Sequence, residues 1–242
     1  MKKILLPISI CATLFASFAF TGSDPCNGSD MFVKGTTSKT GMYKADGTLT
    51  GTTTGTVTDI TTSGDSTIAT LTTNYTDAKK PDQQHSGTAR FICVNGKMIM
   101  DLSGMMNSMA AASAGRDMKV VMTGNLVPYE TSYTAGQKLD DLKMKMEVYS
   151  SGNLMMTSDI SVTNRVCEAV EDKTTPAGTF HTFRISQVTT ANTKMGAMTM
   201  PGSGKPDKSI QWYSPKAGVV RMESYKDDKL FSYNELISLV RP

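Results

Sequence analysis

The chain has 242 residues, with 25 lysines and arginines against 22 acids, four cysteines, one tryptophan and 18 methionines. A formal charge of +3, with no basic patch interleaved with aromatics, gives no electrostatic case for a nucleic-acid partner. No Cys-x-x-Cys, His-Glu-x-x-His, Gly-x-Ser-x-Gly or phosphate-loop pattern occurs, so the motifs that announce metal, nucleophilic or nucleotide chemistry are missing and no cofactor is implied.

The N-terminus reads "MKKILLPISICATLFASFAFTGSDPC". Lys2 and Lys3 precede an apolar run over 4–20, and Ser17-Phe18-Ala19 fits a small-x-small cleavage site. This predicts a secretory signal peptide over 1–19 and one β-rich domain over 20–242. Cys11 follows Ile10, where a lipidation site takes a small residue. No later stretch reaches the ~20 apolar residues of a membrane span, so an integral membrane protein is not expected. The expected location is the periplasm, the medium or the cell surface. Removing the leader takes away two lysines and no acid, which leaves 23 basic against 22 acidic side chains.

Export changes the reading of the cysteines, because an oxidising compartment permits a disulfide. Cys26, Cys93 and Cys167 remain after the leader. Cys26–Cys93 is the favoured pair, since it would pin a loop ("SDPCNGSD") to a strand ("ARFICVNGK"). Cys167, in "NRVCEAVE", reads as a buried strand residue. Sequence alone leaves the connectivity open.

Turn signals follow at Asp46-Gly47, Asn95-Gly96, the "SSGN" of 150–153 and Asp227-Asp228. Between Thr48 and Thr76 lie 14 threonines and few large apolar residues. Alternation in "TVTDITT" and "STIATLTTNY" reads as long, mostly exposed strands, with a disordered linker as the alternative. "SGMMNSMAAASAGR" breaks the strand pattern. Ser103 is a candidate N-cap, Gly115 a stop, and Met105, Met106, Met109 and Ala110 recur at helical spacing. A short helix over 104–114 is expected to cross an open side of the sheet. "DLKMKMEVY" and "NLMMTSDISV" then alternate, with Leu142, Met144, Met146 and Val148 on one face of a hairpin and Leu154, Met156, Ile160 and Val162 on its partner.

Fourteen methionines lie between Met98 and Met200. They have three readings: core filling in a chain poor in aromatics, an adaptable apolar pocket, or thioether copper(I) ligands. Copper lacks histidine partners and dense Met-x-x-Met repeats here. The pocket reading selects Met98, Met100, Met105, Met106, Met109, Met144, Met146 and Met156 as ligand-binding residues. His85 and His181 stand far apart, and adjacent acids such as Asp140-Asp141 do not make a catalytic pair. No enzyme is expected.

Three stretches, "TTPAGTFHTFRIS" (174–186), "IQWYSPKAGVVRMES" (210–224) and "KDDKLFSYNELISL" (226–239), together with "SVTNRVCEAVED", resemble a family of secreted or periplasmic proteins of unknown function common in Bacteroidota. The resemblance covers residues 120–240 well and the first half in outline. It implies an all-β fold: a curved antiparallel sheet forming an incomplete barrel with the Met-rich helix across its concave side. That architecture resembles half-barrel carriers of lipoproteins or lipids. Relatives often carry a Cys just after the Thr-Phe, where this chain has His181-Thr182, which implies that Cys167 lacks a partner. The expected function is a non-catalytic exported protein holding a lipid-like apolar ligand. The alternative is a structural or surface-interaction protein with a solid Met-rich core. No protein partner is identified by the sequence.

Overall fold

The computed structural model describes residues 26, 28–101, 103–104, 106–107, 118–124 and 128–242. The segment expected as a leader lies outside them. Among the described residues fourteen strands follow a 3-10 turn at Asp30–Phe32. They are β1 (Thr37–Lys44), β2 (Leu49–Ser63), β3 (Ser66–Asp77), β4 (Lys80–Val94), β5 (Lys97–Asp101), β6 (Met118–Gly124) and β7 (Pro128–Glu130). After these come β8 (Leu142–Ser150), β9 (Asn153–Thr175), β10 (Gly178–Met195), β11 (Met198–Thr199), β12 (Pro206–Ser214), β13 (Gly218–Lys226) and β14 (Lys229–Val240).

The expected turns join consecutive strands. Asn95 and Gly96 both have positive φ (49° and 74°), as do Asp227 and Asp228 (48° and 58°), the backbone that a tight hairpin requires. Pro176 and Ala177 turn β9 into β10, with the Ala177 N–H donating to Thr175 Oγ1 at 3.2 Å. The "TPAG" stretch is therefore a corner of the sheet.

All strands belong to one antiparallel sheet in the order β6-β8-β9-β10-β12-β13-β14-β1-β2-β3-β4-β5-β7, with β11 on β10. The sheet does not close: β6 and β7 are its edges. It does curl. Val57, Leu71 and Phe91 of β2–β4 share one buried cluster with Phe183, Ile185 and Tyr213 of β10 and β12, strands far away in the order. Only a curved sheet brings those faces together.

Burial follows the two-residue period. In the threonine-rich arm Ala69, Leu71 and Thr73 are buried on β3, and Ala89, Phe91 and Cys93 on β4. The long-strand reading of that region is correct. The Cys26–Cys93 disulfide is present and ties the N-terminal segment to β4. Met31 of the 3-10 turn enters the core, while the Asp30 N–H donates to the Lys216 carbonyl and its carboxylate pairs with Arg241. Cys167 is a free, buried thiol whose pKa burial pushes up.

The described residues do not show the expected Met-rich helix lying across the concave side. A strap over 131–141 leaves β7 at one edge and reaches β9 near the other. Gly136 N–H donates to Cys167 O, Cys167 N–H to Gln137 O, and Leu139 N–H to Arg165 O, at 2.8–2.9 Å. Arg165 Nη1 clamps it further by donating to the Asp140 carbonyl at 2.9 Å. Of the Met-rich segment, Ser103, Gly104, Met106 and Asn107 are helical. Gly104 lies so close to β4 that a Cβ there would collide with Thr88. Asn107 Oδ1 accepts the Val120 N–H of the β6 edge. The remainder of that segment, Met105 and Met109 included, lies outside the described residues.

Candidate functional site

Curling leaves space on the concave side. A cavity of about 320 Å³ lies between the β1–β5 arm and β12–β14. Its floor is apolar: Met31, Leu71, Ala89, Phe91, Val220 and Leu236. Met98 and Met100, at alternate positions of β5, close one side, and Tyr129 of β7 another. These positions share a face because side chains alternate along each strand.

The cavity forms because its walls are unequal. On β2 the inward positions include Thr53 and Gly55, and on β4 Ala89, all too small to reach across. The facing aromatics are locked together. Tyr129 stacks on Tyr213 with ring centroids 4.5 Å apart, and Tyr133 meets Phe183 edge-on at 5.2 Å. Burial pushes the Tyr129 phenol up to about 12, so it stays protonated and donates to Gln211 Oε1 at 3.0 Å.

Polar groups at the cavity sort into satisfied and unsatisfied. Glu235 is held by Arg221 Nη1 at 2.6 Å, and Arg221 also contacts Glu223 at 2.9 Å and covers the Tyr233 ring at 4.3 Å. Gln211 Nε2 and Thr73 Oγ1 are buried with no hydrogen-bond partner among the described residues. Native interiors rarely leave such groups unpaired.

The methionines selected by sequence divide. Met98 and Met100 line the cavity. Met144 and Met146 share a half-buried face of β8, and Met156 lies on β9; none of the three lines it. Met106 is half-buried, and Met105 and Met109 lie outside the described residues. Sequence reasoning missed Gly55, Ala89, Tyr129, Gln211 and Met222. An alternating row of small residues in β2 and β4 was the available signal. Among the described residues no group of three His, Cys, Asp or Glu could hold a metal ion. His181 Nδ1 lies 3.3 Å from Asp172 at an exposed site, and His85 stacks near Tyr75. No described helix is long and apolar enough to cross a membrane.

Comparison with known proteins agrees with this architecture. The DUF3108-like family profile matches residues 33–236. The crystal structure of a candidate lipoprotein from Parabacteroides distasonis superposes with a TM-score of 0.65 at 25% identity, over 86% of this chain and 96% of that one. A candidate exported protein with a YmcC-like fold from Bacteroides fragilis superposes with a TM-score of 0.63 at 23% identity, over the same shares, a likeness of fold alone. No functionally curated protein matches the chain.

Proposed function

The chain belongs to the DUF3108-like family, and on that footing we propose that it is a non-catalytic exported protein that holds a lipid-like apolar ligand in the concave cavity. It is an exported protein, periplasmic or at the cell surface, in keeping with its lipoprotein and exported neighbours. The leader expected over 1–19 and the Cys26–Cys93 disulfide support the same compartment.

The observation that carries the ligand proposal is the unfilled, apolar cavity itself. Small-molecule sites are typically concave, mostly apolar clefts with a few polar groups. A space of about 320 Å³ holds roughly ten water-sized groups at ~30 Å³ each. Its floor of Met, Leu, Phe and Val offers water few partners, while the flexible thioethers of Met98 and Met100 adapt to varied apolar shapes. Thr73 and Gln211 supply unpartnered hydrogen-bonding groups that a carbonyl or hydroxyl on the ligand would satisfy.

The test is native mass spectrometry and organic extraction of protein purified from its own host. An apolar molecule should co-purify in stoichiometric amount, and Met98→Ser/Met100→Ser should reduce it. Repeated recovery of empty protein that also fails to take up an apolar fluorescent probe would leave the solid-core, surface-interaction reading in its place.

A further inference from the structure

A second, more polar cavity adjoins the apolar one at Met222. We propose that the two form a single amphiphile site, and that its ligand carries an anionic head group bound beyond Met222. This rests on the reading of the first cavity as a ligand site.

Met222 lines both cavities. The concave face of β12–β14 changes in tiers around it. Tyr213, Val220 and Leu236 are apolar and buried. The next tier is Gln211, Met222 and Asn234, which are register partners across the three strands. The tier after that is Ser209, Ser224 and Ser232, again register partners, and it lines the second cavity of about 570 Å³. One groove therefore runs from hydrocarbon-like to hydroxyl-lined within a few residues of strand.

The charge at its polar end is positive. Lys205, Lys208 and Lys226 line the second cavity, with Asp207 as the single acid. All three lysines are exposed, and among the described residues none has a carboxylate within ion-pair distance. Flexible ammonium groups act as point charges that can bind a carboxylate or a phosphate. Phe231, 64% exposed, lies at the same mouth, where an apolar ring would meet the upper part of a chain. Gln211 stands at the step between the two environments, and its unpartnered Nε2 can donate to an oxygen next to the head group.

The experiment uses three probes of one chain length: decanoate, decyl phosphate and decanol. Ten carbons match what the apolar cavity holds at roughly 30 Å³ per group. Displacement of an apolar fluorescent probe is measured at low salt and at high salt, on the protein and on Lys205→Gln/Lys208→Gln/Lys226→Gln. The expected result is that one or both anionic probes bind at least about ten-fold tighter than decanol at low salt. High salt and the triple variant should each collapse that difference, because exposed charges are screened. Preference between decanoate and decyl phosphate identifies the head group. Equal binding of all three overturns the head-group site and leaves the apolar cavity standing. An anionic preference that survives in the triple variant places the charge elsewhere and also overturns it. No binding of any probe removes both this inference and the cavity reading.

Discussion

The two walls of the concave face are built from opposite materials. The β2–β4 wall presents Gly55, Val57, Ala69, Leu71 and Ala89. The β10–β12 wall presents Phe183, Ile185 and Tyr213, further filled by Tyr129 and Tyr133 from β7 and the strap. Most of the space lies against the first wall, since Gly55, Leu71, Ala89 and Phe91 line the cavity, while of the second only Gln211 and Tyr129 reach it and Phe183, Ile185 and Tyr213 do not. A curved sheet supplies a concavity, but side-chain size decides where it stays open. The threonine-rich composition of the first arm is thus a means of forming strands without filling the interior.

That contrast predicts unequal responses to mutation. The largest effect is expected on the filled wall. Tyr213 is 1% exposed and stacks on Tyr129, so Tyr213→Ala should cost about 3–5 kcal/mol through lost burial and an unrelaxed cavity. A urea midpoint barely changed from the parent would show that this wall is not a packed core. On the open wall, packing is supplemented by the covalent tie at Cys93. The disulfide spans 67 residues of sequence, and its removal by Cys26→Ser/Cys93→Ser should lower stability by about 2–4 kcal/mol. Thermal melts with and without reductant on the parent should reproduce the shift, while the buried thiol of Cys167 stays unreactive in both.

The filled wall should also fail in base. Tyr129 is fully buried, and burial raises its pKa to about 12 from an ordinary value near 10. Its folded pKa therefore exceeds its unfolded one. The contribution is intact below pH about 10 and is lost as pH rises towards about 12, because the unfolded chain releases the proton first. Each unit of separation is about 1.4 kcal/mol, so two units make the effect on the order of 3 kcal/mol. Tyrosinate absorbance and far-ultraviolet circular dichroism should change together. Ionisation of Tyr129 well before loss of the sheet would contradict the burial argument, and Tyr129→Phe should move the transition to higher pH.

Local chemistry made much of this fold legible. Asn95-Gly96, Asp227-Asp228 and the Pro176-Ala177 corner declare their turns, and the alternation around Leu142–Val148 and through the threonine arm declares its strands. Alternation tells which side chains share a face but not which strand lies beside which. Met98 and Met144 carry the same signal, yet β5 and β8 lie near opposite ends of the sheet, so only Met98 meets the cavity. The strap was illegible for another reason. It is tied to β9 by backbone hydrogen bonds at Gly136, Gln137 and Leu139, and such bonds leave no pattern in side-chain types. Gly55 and Ala89 were overlooked because a site made by missing volume has no chemical group to read.

The finest test of the comparison is therefore to restore that volume. Gly55 faces the cavity from β2, and a Cβ there would meet Ser38 Oγ at 3.4 Å and Leu71 Cδ2 at 3.5 Å, ordinary contact distances. The position lacks the left-handed backbone that would strain a side chain. Gly55→Leu should direct a branched chain into empty space, where new burial and the poorer strand entropy of glycine both favour the variant. Stability should change by less than about 1 kcal/mol, since no packed atom has to move. Probe binding should nonetheless be abolished, because several methyl and methylene groups would occupy a space that holds roughly ten. Full probe uptake by a stably folded Gly55→Leu protein would mean that the small-residue wall does not face the ligand, and the binding site would then have to lie elsewhere on the sheet.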